Sequence, residues 1–267
     1  MNKKDKNSFC PYCDYSGIIH NTAFEITGDN ALSPCPKCVL PKCKCGGEEP
    51  YYYSDGDNIR ACFCRATRLK IDRVLEIYNS SGIDSKKFRW KTINDFKASS
   101  KHASEAKNAA YDIIQKFPDV NKGLYLWGNP GTGKTLLSCI ILTELITHHA
   151  VNGKFIKISR NFFNLLRSTF VEGSERYGQS GKIEKDLATV DVLVIDDFGV
   201  QRDSPWEQET LYNLIDARYE AEKFTIITSN NNPEKSLKEL SEGRILSRIR
   251  EMCRIVELSG EDYREKK

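Results

Sequence analysis

Two sets of side chains in this sequence are spaced for chemistry. The first is the run Gly128, Asn129, Pro130, Gly131, Thr132, Gly133, Lys134, Thr135, which fits G-x-x-x-x-G-K-[ST] in full. Phosphate binding calls for glycines because only they let backbone N–H groups converge on phosphate oxygens with no Cβ in the way. Lys134 is placed to reach the β- and γ-phosphates of ATP, and the Thr135 hydroxyl to ligate Mg2+. Leu136 closes the stretch expected to touch nucleotide, where a helix begins and lends its positive end. The run sits between an apolar strand pattern and a helical one, as such a loop requires; a bare glycine-rich turn is the competing reading.

The second set is the cysteines, eight of ten within the first 64 positions. Cys10 and Cys13 form one C-x-x-C pair and Cys35 and Cys38 another, with 21 residues between. Cys43 and Cys45 form a C-x-C pair and Cys62 and Cys64 a second, with 16 residues between. Tetrahedral zinc takes four soft ligands from two such knuckles, so two zinc sites are expected. The simplest grouping follows sequence order. Cys10 and Cys13 with Cys43 and Cys45, or the outermost knuckles with each other, are alternatives, as are an iron–sulfur cluster and unmetallated thiols. Cys139 and Cys253 fall in helical patterns and read as core cysteines.

Further residues extend the phosphate site. "VDVLVIDDFG" is an apolar strand ending at Asp196, where a carboxylate can hold Mg2+ through water, and Asp197 would polarise the attacking water. Many ATPases carry Glu at that second place, and the shorter Asp reaches less far. "FTIITSNNNP" ends another strand in a polar residue, Asn230. "GRILSRIRE" puts Arg244 and Arg248 on one helical face with Arg250 turned away, a solvated basic helix unless a ligand uses it.

The elements that must position these residues differ between the two ends of the chain. Residues 1–66 lack long apolar periodicity and cannot bury enough apolar surface to fold without staples. Residues 67–100 read as a helix, with Leu69, Val74, Leu75 and Tyr78 near helical spacing, and a connector. Residues 101–267 alternate short apolar strands with helices, the pattern of an α/β fold with a parallel sheet between helices. A first helix there places Ala106, Ala109, Ala110, Ile113, Ile114 and Phe117 on one face. Tyr51, Tyr52 and Tyr53 lie beside one predicted metal site, either plugging a small core or offering a partner-binding or base-stacking patch.

The net charge of +3 is too small to announce nucleic acid, though compatible with it. "MNKKDKNSFC" has no apolar run behind its lysines, so a secretory signal is not expected, and no stretch approaches a membrane span. The expected compartment is the cytoplasm, where thiols stay reduced and metal is the better use for cysteine.

"LYLWGNPGTGKTLL", "VLVIDDFG", "LYNLIDARY" before "FTIITSN", "GRILSRIRE" and "LSGEDYRE" together resemble the DnaC/DnaI-type helicase loaders, a branch of the AAA+ initiators that includes IstB-like transposition helpers. The connector "GIDSKKFRWKTINDF" is similar too, so the resemblance covers roughly residues 80 to 267. It implies an ATPase that places a replicative DNA helicase on single-stranded DNA, gripping the helicase through its N-terminal domain and self-associating through its ATPase domain. It also implies that Asn230 is the sensor near the γ-phosphate, and that Arg244 or Arg248 serves a neighbouring subunit's nucleotide. About nine residues follow the last strand, leaving no room for a C-terminal helical lid; Arg264 could stand in for the lid's arginine. The alternative is an IstB-like transposition helper, against which the cysteine block counts. A small-molecule kinase fits the asparagine and paired arginines less well, and a helicase would need further motifs.

Overall fold

A computed structural model describes residues 10–13, 16–21, 31–158, 162–199, 204–238 and 243–263. The chain divides into two units, Met1–Asn79 and Ser80–Lys267. The helix after the cysteines thus groups with them, and the 80–100 segment groups with the sheet. Arg264 lies outside the described residues.

In the first unit two short antiparallel ribbons frame the cysteines: β1 (Ile18–His20) with β2 (Leu32–Pro34), and β3 (Tyr52–Asp55) with β4 (Asn58–Ala61). Sequence patterning had shown none of these strands, because three or four residues carry too little alternation to register. The unit's buried core is largely sulfur: Cys10, Cys13, Cys35, Cys62 and Cys64 with Val39, flanked by Ile19, Tyr53 and the other three cysteines. α1 (Arg65–Asn79) buries Ile71, Val74, Ile77 and Tyr78. Leu69, expected on that face, is instead exposed, because the Ile71–Val74–Ile77/Tyr78 stripe follows the 3.6-residue period and Leu69 falls off it.

The second unit opens with residues 80–100, which lie along it: Phe155 N–H donates to Ser81 O at 2.7 Å, and Ile93 N–H to the buried Glu144 carboxylate at 3.1 Å. α2 (Lys101–Lys116) starts where Ser100 accepts from Ala103 N–H, and buries Ala103, Ala106, Ala109, Ala110, Ile113 and Ile114. There follow β5 (Gly123–Trp127), α3 (Lys134–His149), β6 (Gly153–Lys157), α4 (Phe163–Ser168), α5 (Ser180–Thr189), β7 (Val192–Phe198) and α6 (Pro205–Glu220). β8 (Phe224–Ser229), α7 (Pro233–Ser236), α8 (Arg244–Met252) and β9 (Cys253–Glu257) complete it. Cys253 therefore opens a strand rather than ending a helix; it and Cys139 are buried core residues. Among the described residues no helix follows β9, and no helix is long and apolar enough to cross a membrane.

The five strands form one parallel sheet in the order β6-β7-β8-β5-β9. α3 packs on β6, β7 and β8 with α2 beside it, and is buried through most of its length. On the opposite face Leu193, Ile195 and Ile227 meet Leu187 of α5, Leu211, Leu214 and Ile215 of α6, and Ile245 and Ile249 of α8. A sheet covered on both faces needs near-continuous apolar strands, which is why "VLVI" and "TII" read as they do. A guanidinium is built into this core: Arg218 of α6 is fully buried. It donates to the carbonyls of Leu187, Val190 and Phe224 at 2.7–2.9 Å and to Thr225 Oγ1 at 2.9 Å, tying α5, α6, β8 and the approach to β7 together.

Candidate nucleotide site and metal centres

Parallel strands present their carboxyl ends on one edge of the sheet, and the loops there build ligand sites. β5 ends at Trp127, and the glycine-rich loop turns from it into α3. Gly128 has φ +147°, and a Cβ there would lie 2.3 Å from Leu258 O, so the loop closes against the chain leaving β9 only with glycine. Gly131 has φ +78°, and the Asp262 carboxyl group stands where its Cβ would be. Tyr263 N–H donates to Gly131 O at 3.2 Å, and the Tyr263 hydroxyl lies 2.8 Å from Lys97 O and 2.7 Å from Ser99 Oγ. The chain after β9 thus straps the loop to the 80–100 segment.

Lys134 opens α3, nearly buried, with Nζ donating to the carbonyls of Gly128 and Asn129 at 2.8 and 2.7 Å. Thr132 Oγ1 donates to Asn129 O at 2.9 Å, tightening the turn. Thr135 Oγ1 donates to Asp196 Oδ1 at 2.8 Å, and Thr228 Oγ1 to the same oxygen at 2.7 Å. Asp196 is fully buried on β7, with Oδ2 facing Lys157 Nζ at 3.2 Å. Asp197 is half-exposed, at φ +59°, where β7 breaks register with β8; its N–H donates to Thr228 Oγ1 at 3.1 Å, and its Oδ2 lies 3.8 Å from Lys157 Nζ. The conformation turns one carboxylate into the sheet and the next toward solvent. Two hydroxyl donors and an ammonium thus surround the Asp196 carboxylate.

Lys134, Thr135, Asp196 and Asp197 are therefore brought together. Asn230 follows β8, the strand between those carrying the glycine-rich loop and the two aspartates, and is exposed. Arg244 and Arg248 lean on α6: Arg244 lies 5.3 Å from the Tyr212 ring centre, and Arg248 lies 4.4 Å from that of Tyr219 while pairing with Asp216 at 2.8 Å. Sequence reading passed over Thr228 and Lys157. A hydroxyl inside the apolar run of β8 and a lysine ending β6 are the signals that mark them, but only the register Lys157↔Asp196 and the Thr228–Asp196 hydrogen bond give them meaning.

The eight cysteines fall into two tetrads in sequence order, Cys10/Cys13/Cys35/Cys38 and Cys43/Cys45/Cys62/Cys64, each with its sulfurs within 4.8 Å of one another. A tetrahedral site with Zn–S bonds of about 2.3 Å has sulfur–sulfur edges of about 3.8 Å. Cys10–Cys35 and Cys13–Cys38 are each 3.7 Å apart; the second tetrad has separations of 3.5 to 3.9 Å. A disulfide would draw two sulfurs to about 2.05 Å. Burial resists charging these thiols, yet backbone amides of Lys44, Cys64 and Cys45 bring Cys62 down to about 6, and those of Lys37 and Cys38 bring Cys35 down to about 7. Each tetrad can hold a metal ion. Tyr51 is buried, Tyr52 exposed and Tyr53 partly buried against the sulfur core, so the three tyrosines do not all plug it.

Comparison with known proteins bears on this geometry. Residues 73–267 match the family model described as IstB-like ATP binding protein. The replicative helicase loader DnaC of Escherichia coli K12 is 27% identical over 219 residues, covering 80% of this chain and 84% of that protein. The crystal structure of the DnaC helicase loader superposes with a TM-score of 0.54 at 26% identity, over 65% of this chain and 99% of that one. The crystal structure of DnaI shares the fold at a TM-score of 0.56 and 22% identity, over 67% of this chain and 96% of its own.

Proposed function

The chain belongs to the IstB-like ATP-binding family, and from that premise we propose that it is an ATP-dependent loader that delivers a replicative DNA helicase onto single-stranded DNA. The observation that carries this reading is the similarity to a named replicative helicase loader across most of both chains. An IstB-like transposition helper is less favoured, because the similarity runs to loaders over 80% of the chain and that reading leaves the metal-binding unit without a use.

In this reading residues 101–267 are the ATPase domain, 67–100 the helix and linker, and 1–66 the metal-stapled domain that grips the helicase. Lys134 and the backbone of Gly128 to Leu136 bind the phosphates of ATP. Thr135 and Asp196 hold Mg2+, which supplies charge neutralisation at the phosphates. Asp197 orients water, and Asn230 stands by the γ-phosphate. Arg244 or Arg248 acts on a neighbouring subunit's nucleotide, so hydrolysis is weak until chains assemble on helicase or single-stranded DNA. The two tetrads take zinc, and the setting is the cytoplasm.

The test is reconstitution with the host's replicative helicase. The protein with ATP should place that helicase on a single strand coated with single-strand-binding protein, and should retain it in pull-downs. Recovery of a transposase instead, with no helicase loading, would select the second reading.

A further inference from the structure

The two C-x-C knuckles impose an outward geometry on what lies between their cysteines. With both sulfurs of each pair turned into the cage, Lys44 and Phe63 are left outside it, and both are exposed. Lys42 and Arg65 flank the same knuckles. Each of these cations stands over an aromatic ring: Lys42 lies 4.7 Å from the Phe63 ring centre, Lys44 lies 5.0 Å from that of Tyr53, and Arg65 lies 5.1 Å from that of Tyr52. Phe63 is 54% exposed and Tyr52 41%. The neighbouring β3–β4 ribbon is almost wholly in solvent, so among the described residues of this unit no apolar layer covers Phe63 and Tyr52.

A plainer account is that the cations neutralise the thiolates. Arg68 fits that account: burial works against its charge, but its contact with the Cys64 sulfur more than offsets this, and it stands over the buried Tyr51. Lys42, Lys44 and Arg65 differ. Of the unit's carboxylates Asp55 pairs with Arg60 and Glu76 with Arg73, and no described carboxylate forms an ion pair with any of the three cations. Cations without an ion-pair partner among the described residues, two of them seated on exposed rings, offer phosphate neutralisation and base stacking at one spacing.

We propose that this rim of the second tetrad is a binding surface for single-stranded nucleic acid, with Phe63 and Tyr52 stacking bases and Lys42, Lys44 and Arg65 meeting phosphates. An acidic protein surface would satisfy the lysines but would leave the exposed rings without flat partners. The inference concerns the first unit alone and stands apart from the loader reading, which assigns that unit to the helicase.

The experiment uses the full-length chain without nucleotide and a fluorescent oligo-dT of about twenty nucleotides, longer than most single-strand site sizes. Phe63→Ala should weaken binding about tenfold, and Tyr52→Ala by a similar factor. The triple change Lys42→Gln, Lys44→Gln, Arg65→Gln should lower the slope of log affinity against log salt by about 2. Metal content and circular dichroism establish that each variant keeps its fold. An iodouracil-substituted oligonucleotide should crosslink to the peptide around 51–65. Unchanged affinity in folded variants, crosslinks confined to 80–267, or variants that keep DNA binding but lose helicase retention would each overturn the proposal, the last by making the rim a protein-docking face. Failure of helicase loading with these DNA effects intact would overturn the loader reading instead.

Discussion

The hydroxyl of Thr135 donates to Oδ1 of Asp196 at 2.8 Å, joining the first turn of α3 to the end of β7 across 61 residues of sequence. The glycine-rich loop and the aspartate pair are therefore parts of one site. Thr135→Ala and Asp196→Asn should each abolish the Mg2+ dependence of nucleotide affinity while leaving weak, metal-independent binding through Lys134 and the loop. Fluorescent-nucleotide titration with and without Mg2+ checks this; retained Mg2+ dependence in either variant would count against the pairing.

Lys134→Ala should lose ATP affinity, whereas Asp197→Asn should bind ATP and hydrolyse it poorly. Lys134 lies at the loop proposed to receive the phosphates, while the half-exposed Asp197 faces away from the sheet. Equal loss of binding in both variants would refute this division of roles.

Lys157 Nζ lies 3.2 Å from Asp196 Oδ2 and 3.8 Å from Asp197 Oδ2. Lys157→Met leaves a buried carboxylate without its counter-charge. Stability in Mg2+-free buffer should fall by roughly 2 kcal/mol, less than for a fully buried pair because the lysine is one-third exposed. Mg2+ no longer competes with an ammonium there, so the melting temperature should recover more on adding Mg2+ than in wild type. A loss that Mg2+ does not repair would show that Lys157 acts only through packing.

Elemental analysis of protein purified without added metal should return two zinc ions per chain; iron with brown colour, or a value near zero, would falsify this. Cys62→Ser should unfold the first unit while nucleotide binding survives, since the core of the second unit contains none of the eight ligands.

Assembly is tested by mixing. Arg248→Ala, or Arg244→Ala if that residue is the finger, should bind ATP normally yet gain nothing from higher protein concentration or a DNA scaffold. An arginine finger is worth about 10³ to 10⁵ in rate. Combined with Lys134→Ala, the variant should regain partial activity, because one interface can pair an intact pocket with an intact finger. A mixture as inactive as its components, while wild type is stimulated, would leave both arginines as partners of α6.

The phosphate loop, the aspartate strand and the α/β alternation were legible in sequence because each depends on residues close together along the chain. A glycine where N–H groups converge, or an apolar run where both sheet faces are covered, leaves a local trace. α2 displayed its buried alanines for the same reason. α1 was read with Leu69 inside because Leu69, Ile71, Val74 and Leu75 permit more than one stripe, and what lies opposite the helix chooses among them.

The remainder was decided by tertiary structure. Eight cysteines in four pairs admit several groupings, and the sulfurs alone show which four converge. Thr228 and Lys157 look like ordinary strand residues until the register of β6, β7 and β8 sets them around Asp196. Nothing adjacent to Arg218 in the sequence marks it, yet it is buried with its N–H groups spent on carbonyls from distant segments. The reason is common to all three: a metal cage, a buried carboxylate and a buried guanidinium each need partners converging from several segments at about 3 to 4 Å. Spacing along one chain does not encode that convergence; the packing of the sheet and its helices does.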